Sequence, residues 1–341
     1  MREYEVIRDV NVFGTNFTQS FIYTSEYDEA RQQLAYLHSQ YQDLPFESVF
    51  HGTEIKNECG VCYDLESRHE MSPCTVDRRL FREEIHADLM LVPGIGPSVQ
   101  RRLKARGYET LTDLRNHPRY RHKADNVLSC IAGGSSAELM ELIGSRHSRS
   151  YRSILGATCL HEPGDFVFFD IETLGLFSRP IILFGVGFLE QGQFCVHQYL
   201  LRDIEEEQAA LMATVEHLSG KNPALVTFNG KSFDLPYLSD RLAYYGMGLP
   251  CLIPHFDMLH FSRRRWKGTL PSLRLTALEK EILGISRNDD IPGAMVPEFY
   301  EAYRRSGNCG PLVPILEHNR QDVVSLARLF FHLITESYGS S

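Results

Sequence analysis

The 341-residue sequence has no apolar run near the roughly 18 residues that a membrane-spanning helix needs, so no integral membrane protein is expected. Its first residues, MREYEVIRDV, are charged and lack an apolar stretch, so no signal peptide is expected either. Only eight cysteines occur, and without a secretory signal they fit a reducing, cytoplasmic setting and not a disulfide scaffold. Positive charge is also short, because the formal net charge is −9. That argues against non-specific nucleic-acid binding by the chain as a whole, although a whole-chain sum hides local patches.

What is there is ordinary globular material. Hydrophobic residues make up 43% and charged residues 23%, which excludes a mainly disordered, collagen-like or coiled-coil chain. At roughly 100–200 residues per domain, the length suggests two or three domains. The charge is uneven. Between residues 90 and 153 there are 11 Lys/Arg against 5 Asp/Glu, so this stretch carries +6 and the remainder −15. A basic binding module joined to an acidic body would give that asymmetry.

Three regions follow from the patterning. Residues 1–80 read as β-rich and irregular, with strands at YEVIRDVNVFG and GVCYDLES and a helix at EYDEARQQLAYLHSQY. Residues 81–150 read as short helices separated by glycine-rich turns: LFREEIHADLMLV, PSVQRRLKARG and TLTDLRNH. Residues 160–336 alternate strand and helix. FVFFDIE, PIILFGVGFLE and GQFCVHQYL read as strands, then a helix, strand ALVTFNG, helix FDLPYLSDRLAYYG, a short strand at PHFDML and a long terminal helix. This pattern implies an α/β fold, a mixed sheet flanked by helices.

Between two helical patterns lies Val92-Pro93-Gly94-Ile95-Gly96-Pro97. Gly94 and Gly96 permit a tight backbone hairpin, and Pro97 suits the first turn of the next helix. Free N–H groups at that helix start favour an anion, and Arg101, Arg102 and Lys104 follow on the same helix. Gly107 reads as the helix end, and Thr110 as a cap for the next. The segment resembles the helix-hairpin-helix motif, which implies binding to nucleic-acid backbone phosphates; packing between domains is the bland alternative. Ala132-Gly133-Gly134-Ser135-Ser136 reads as a fainter second copy.

Three acidic elements are spread over the last region. Asp170-Ile171-Glu172-Thr173 closes an apolar strand, and residues two apart on a strand share a face. Asn229-Gly230-Lys231-Ser232-Phe233-Asp234 forms a strand–turn–helix step, with Asp234 favoured by the helix dipole. On the last helix, His318 and Asp322 are four apart and share a face that adjoins the apolar residues after them. A carboxylate there needs a partner or a metal. Each element alone also has an ordinary structural reading: a surface acid pair, a helix N-terminal acid, a packing histidine.

In this order and on these element types, the three segments resemble the motifs of the DEDD superfamily of RNase H-like 3′–5′ exonucleases. His255-Phe256-Asp257, Ser262-Arg263-Arg264-Arg265-Trp266, Asp290-Ile291-Pro292-Gly293 and His318-Asn319-x-x-Asp322-Val323 further resemble the YprB-like family of predicted exonucleases. The resemblance spans about residues 164–334. It implies an RNase H-like fold, DNA or RNA as substrate, and two Mg²⁺ or Mn²⁺ ions held by Asp170, Glu172, Asp234 and Asp322. Hard carboxylate oxygens suit these ions, which stabilise the attacking and leaving oxygens of an in-line displacement. His318 would orient or deprotonate the water as general base. The superfamily's usual spacings are Tyr-x3-Asp or His-x4-Asp, whereas this chain has a histidine at the tyrosine spacing.

Asp257 and Asn319 are candidate supports beside the site. Asn229, Lys231 and Arg264 are candidate phosphate contacts, since arginine pairs bidentately with phosphate. Trp266 reads either as a platform for a base or, more commonly, as a buried anchor. Cys59, Cys62, His69 and Cys74 give C-x2-C-x6-H-x4-C, close to zinc-knuckle spacing, and could hold a structural Zn²⁺; Cys62 alternatively reads as one apolar residue of a strand. The leading expectation is a metal-dependent 3′–5′ exonuclease. A nucleic-acid-binding scaffold with a nuclease-like fold and a structure-specific endonuclease are the alternatives.

Overall fold

The computed structural model describes residues 24–176, 178–249, 253–287 and 291–339. The strand expected at YEVIRDVNVFG and Asp290 of the DIPG segment lie outside the described residues. The first described elements are α1 (Thr24–Gln40), α2 (Phe46–Val49) and a hairpin of β1 (Thr53–Asn57) and β2 (Gly60–His69). The β-rich expectation thus holds for the hairpin, while α1 is the helix expected at EYDEARQQLAYLHSQY.

Helices α3 (Arg78–Ala87), α4 (Pro97–Lys104), α5 (Arg121–Gly133), α6 (Ser136–Gly144) and α7 (Arg152–Gly156) follow. The helix expected at TLTDLRNH is only a 3₁₀ turn, Asp113–Asn116. The Asp113 carboxylate accepts from the Thr110 N–H at 2.8 Å and its hydroxyl at 2.9 Å, and the X-Pro step His117-Pro118 stops the turn there. LFREEIHADLMLV is likewise interrupted, because the Asp88 side chain accepts from the Met90 N–H at 3.1 Å and opens a new 3₁₀ turn, Leu89–Leu91.

The remaining strands are β3 (Phe166–Thr173), β4 (Ile181–Glu190), β5 (Gln193–Leu200), β6 (Ala224–Thr227) and β7 (His255–Asp257). All seven form one mixed sheet in the order β1-β2-β5-β4-β3-β6-β7. β3, β4 and β5 run antiparallel as a meander. Its second turn is the two-residue Gln191-Gly192, both at positive φ, which suits the twist of the flanking strands. β6 pairs with β3 in parallel, and β7 with β6. On the far edge β2 pairs antiparallel with β5 over Tyr63–His69, so the N-terminal hairpin extends the same sheet.

Helices α8 (Glu207–His217), α9 (Asp234–Tyr244), α10 (Met258–Trp266), α11 (Leu275–Leu278), α12 (Val296–Ser306) and α13 (Leu312–Tyr338) complete the chain. A π turn, Glu279–Leu283, prolongs α11 and ends at left-handed Gly284. Among the described residues no helix is long and apolar enough to cross a membrane.

Strand alternation divides the core and places the chemistry. On β3, Val167, Phe169 and Ile171 join the cluster that includes Ala209 and Leu211 of α8, Leu238 of α9 and Phe299 of α12. Phe166 and Phe168 join the opposite cluster, with Val323, Leu326 and Phe330 of α13. Period two therefore carries Asp170 and Glu172 to the α13 face. The loop after β3 is pinned from the other side. Arg241 pairs with the fully buried Glu207, whose Oε1 also accepts from the Ile181 N–H at 2.9 Å, and Tyr237 donates to the Gly175 and Arg179 carbonyls.

Helix α13 crosses β4 over two glycines. A Cβ at Gly185 would stand 2.4 Å from Asn319 Oδ1 and 2.8 Å from Val323 Cγ2; one at Gly187 would stand 2.6 Å from Val323 Cγ1. Gly185→Ala is expected to lower the thermal unfolding midpoint, at a cost of about 1–3 kcal/mol from overpacking. The loss should be accompanied by a weaker hold of Asn319 on β3. An unchanged midpoint in calorimetry would mean that the helix is not held this close.

Candidate active site

Each acidic element arrives by a different route. The end of β3 supplies Asp170 and Glu172; the latter is 8% exposed and lies where β3 and β4 shift register, between Glu172 and Thr173. Asp234 is the first residue of α9 and is 4% exposed. The loop before it turns through Asn229, which takes a left-handed φ of 67°. Asp257, 1% exposed, fixes that loop: its carboxylate accepts from the Asn229 N–H at 2.8 Å, the Lys231 N–H at 3.1 Å and the Leu259 N–H at 3.1 Å. Asp257 thus lies against the backbone of the loop that precedes Asp234.

Asn319 is completely buried and binds Asp170 directly. Its Nδ2 donates to Asp170 Oδ2 at 2.9 Å, while its Oδ1 accepts from Gln198 Nε2 at 3.0 Å. Gln198 on β5 donates also to the Leu316 carbonyl at 2.9 Å, so the amide chain ties β5, α13 and β3 together. One residue earlier on α13, His318 Nε2 lies 3.9 Å from Glu172 Oε1 and 3.8 Å from Asp322 Oδ2. The structure thus brings His318, Glu172 and Asp322 to one place, and the i, i+4 reading of His318 and Asp322 holds.

Like charges share the site. Burial raises the Asp170 carboxyl well above the usual carboxylate range; Asp322, Asp234 and Glu172 push it further, and His318 opposes. Burial pushes Asp234 up to about 7; Asp257 and Asp322 add to that, against the N–H groups of Asp234 itself and Ile171. The Ile171 N–H belongs to β3, so the second acidic element is tied to the first through backbone.

A cation on the α13 side was not foreseen. Arg287 is forked onto Glu279, Nε to Oε2 at 2.6 Å and Nη2 to Oε1 at 2.7 Å. The same Nη2 pairs with Asp322 Oδ1, and Nη1 lies 3.4 Å from His318 Nδ1. Glu279, 1% exposed, comes from the π turn after α11. Neither residue lies in a recognisable motif; Glu279 reads as one more acid in LEKEIL and Arg287 as a loop cation. The pair is neutral as a unit, so it fixes Asp322 without cancelling the negative charge of the four acids.

Among the described residues, no three Asp, Glu, His or Cys side chains stand as a finished ligand cage. The donor set nevertheless fits hard divalent ions: buried carboxylate oxygens that raise one another's proton affinity, with Arg287 committed at its edge.

The zinc expectation is corrected. Cys62 and His69 lie on the one strand β2, seven residues and so roughly 23 Å apart. Cys62 is buried, its thiol raised to about 12 mainly by burial, and Cys59 Sγ sits 3.8 Å from Met212 Sδ. Cys74 Sγ points at the Thr75 carbonyl, so Cys59, Cys62, His69 and Cys74 do not form one site. The described cysteines are all free thiols.

The remaining expected residues lie on other surfaces. Gly94, at φ 96°, and Gly96 form the hairpin before α4, and Arg101 and Arg102 are exposed on that helix, with Lys104 half-buried. Lys123 Nζ donates to the Pro93 carbonyl at 3.2 Å, and Arg146 to the Met90 and Val92 carbonyls, holding the hairpin's shape. The fainter copy is a helix–turn–helix step in which Ser135 caps α6 through a reciprocal box with Glu138. Trp266 is buried beside His332 and serves as an anchor. Asn229 and Lys231 lie in the loop before Asp234, and Arg264 is exposed on α10.

Comparison with known proteins agrees with this fold. Residues 167–334 match the family model described as RNase_H superfamily. The chain is also 34% identical to "Uncharacterized protein YprB" of Bacillus subtilis (strain 168) over 204 residues, 58% of this chain and 49% of that protein. The chain therefore spans about half the length of that curated relative.

Two outcomes follow. A carboxyl raised by folding stabilises below its unfolded value and loses that contribution as pH rises through its folded value. In chelator, stability should therefore fall between roughly pH 4 and the Asp234 value of about 7, and Asp234→Asn should flatten that fall. Thermal melts at pH 5.5 and 8, with and without added Mn²⁺, check this; equal slopes for both proteins would refute it. Arg287→Met leaves Glu279 buried without its cation and should cost about 3–5 kcal/mol, with part of the loss recovered in Glu279→Gln/Arg287→Met. Denaturant melts of the three variants measure it.

Proposed function

We propose, from the premise that residues 167–334 are an RNase H superfamily domain, that this protein is a metal-dependent nuclease. The finer reading is a 3′–5′ exonuclease acting on phosphodiester bonds of DNA or RNA. The observation that carries it is the convergence of Asp170, Asp234 and Asp322 on one largely enclosed, mutually repelling centre, reached from three separate chain segments. Gathering the Asp170 and Asp234 carboxyls beside further acids costs folding energy that a purely structural use does not call for.

Asp170, Glu172, Asp234 and Asp322 would hold two Mg²⁺ or Mn²⁺ ions. When bound, these would activate water and stabilise the charge on the departing 3′ oxygen. The remaining work belongs to the chain. Asn319 fixes the Asp170 carboxylate, and Asp257 fixes the loop that presents Asp234. His318, between Glu172 and Asp322, would orient or deprotonate the attacking water. Arg287 faces the opposite edge of the same ring and can only donate to Nδ1, which favours the neutral tautomer with its proton on Nε2, turned toward the two acids. The hairpin residues Gly94, Gly96, Arg101, Arg102 and Lys104 would hold backbone phosphates away from the reacting bond. Asn229, Lys231 and Arg264 would do so nearer to it.

The test uses end-labelled single- and double-stranded DNA and RNA with Mg²⁺ or Mn²⁺. A ladder shortening from the 3′ end is expected, lost in chelator and reduced at least about 10³-fold in Asp170→Asn, on the scale of losing an essential charge-stabilising group. Full activity in Asp170→Asn or Asp322→Asn would overturn the metal-centre reading. Internal cuts would replace the exonuclease with an endonuclease.

A further inference from the structure

The Asp257 carboxylate does more than aim Asp234. It sits at the start of α10 and, through the Lys231 N–H, fastens the Asn229–Lys231 loop to that helix. Five residues on from Asp257, α10 begins the run Ser262-Arg263-Arg264-Arg265. Its outer side meets the end of the basic helical region: Arg264 Nη1 lies 3.4 Å from Ser148 Oγ, and its guanidinium carbon 5.4 Å from the centre of the Tyr151 ring. Tyr151 in turn stacks on His147, with ring centres 3.9 Å apart, and His147 is held by Asp88 at 2.6 Å. Cations from two parts of the chain are thus gathered on one surface next to the loop that presents Asp234.

These cations differ from their neighbours in charge pairing. Arg265 is paired with Glu336, and Arg152 with Glu84. Among the described residues, no ion-pair partner within 4.0 Å faces Arg149, Lys231, Arg263 or Arg264. The acid nearest to them, Asp257, is buried and already accepts three backbone N–H groups; His260 Nε2 stands 4.0 Å from it. Electrostatics agrees with the geometry. Burial lowers Lys231, with Arg149 lowering it further against the pull of Asp257, and Lys231, Arg263 and Arg149 all lower His260 besides its burial. Clustered cations that lack ion-pair partners repel one another, and an anion placed among them relieves that repulsion.

We propose that Arg149, Lys231, His260, Arg263 and Arg264 form one phosphate-binding surface that carries a nucleic-acid strand from the acidic centre onto the basic helical region. The identity of the anion rests on the nuclease reading. The geometry of the surface does not. The tyrosine and histidine stack backs Arg264 from behind, so its guanidinium plane is pre-oriented for a phosphate fork. The surface joins two otherwise separate binding elements, which explains why the basic stretch at residues 90–153 belongs to the same molecule as an acidic catalytic body.

The experiment measures binding without cleavage: anisotropy of a fluorescein-labelled single-stranded oligonucleotide in chelator, across a salt series, with the full chain. Arg149→Gln/Arg263→Gln removes two exposed charges and is expected to weaken binding about tenfold and reduce the log–log salt slope by roughly 1.4. Arg149→Lys/Arg263→Lys should keep most of the slope, and Arg305→Gln, an exposed cation on α12, should leave both quantities unchanged. An unchanged slope in the Gln pair, or an equal loss in Arg305→Gln, overturns the proposal. Hydrolysis of a dinucleotide-sized ester separates the two readings. If that hydrolysis is intact while the Gln pair binds like wild type, the surface falls and the nuclease stands. If the Gln pair loses affinity while no substrate is hydrolysed, the surface stands and the nuclease falls.

Discussion

The close approach of α13 to the sheet at Gly185 is the constraint on which the site depends. Without a side chain at that position, Asn319 can lie flat against β4 and reach Asp170 on β3. The same seating fixes His318 and Asp322, because all three share one rigid helix. The α13 face of the sheet is otherwise apolar, with Phe166, Phe168, Phe194 and Val226 on it, so the polar centre is a small inclusion at the end of an apolar layer. A low-dielectric surrounding strengthens every charge interaction within it.

A single net balance unites the polar groups. Four acids meet at one end of the sheet, and the cation nearest to them, Arg287, is itself balanced by Glu279. Self-repulsion among these acids therefore limits stability. Neighbouring residues are committed to holding direction: Asn319 for Asp170, Asp257 for the loop before Asp234, Arg287 for Asp322. Asn319 is itself held in place by Gln198, and Arg287 by Glu279.

Much of this was legible in the chain. Strand alternation in FVFFDIET places Asp170 and Glu172 on one face, helical spacing places His318 beside Asp322, and both placements hold. Asn319 was readable as a neighbour of the site because it adjoins His318. Arg287 and Glu279 were not, since their meeting with Asp322 depends on how a π turn and a loop return to α13, a long-range fact with no local signature. The cysteine pattern misled for the opposite reason. Spacing along the chain suggests a knuckle only if the chain turns, and GVCYDLESRH stays extended because its partner strand β5 keeps it so. TLTDLRNH failed at Pro118, a breaker that the helical pattern alone does not weigh.

The pairing of β2 with β5 carries a consequence for how the molecule is assembled. Strand partners such as Asp64 and Tyr199 are separated by the whole helical segment, which is therefore topologically an insertion between two portions of a single sheet. Trimming the polypeptide ahead of that segment would not release an intact domain; it would strip two strands from the sheet and leave the backbone amides and carbonyls of Gln193–Leu200 as an adhesive border. Synthesis from the ribosome faces the same geometry: the early hairpin must wait, unpaired, until more than a hundred further residues have emerged.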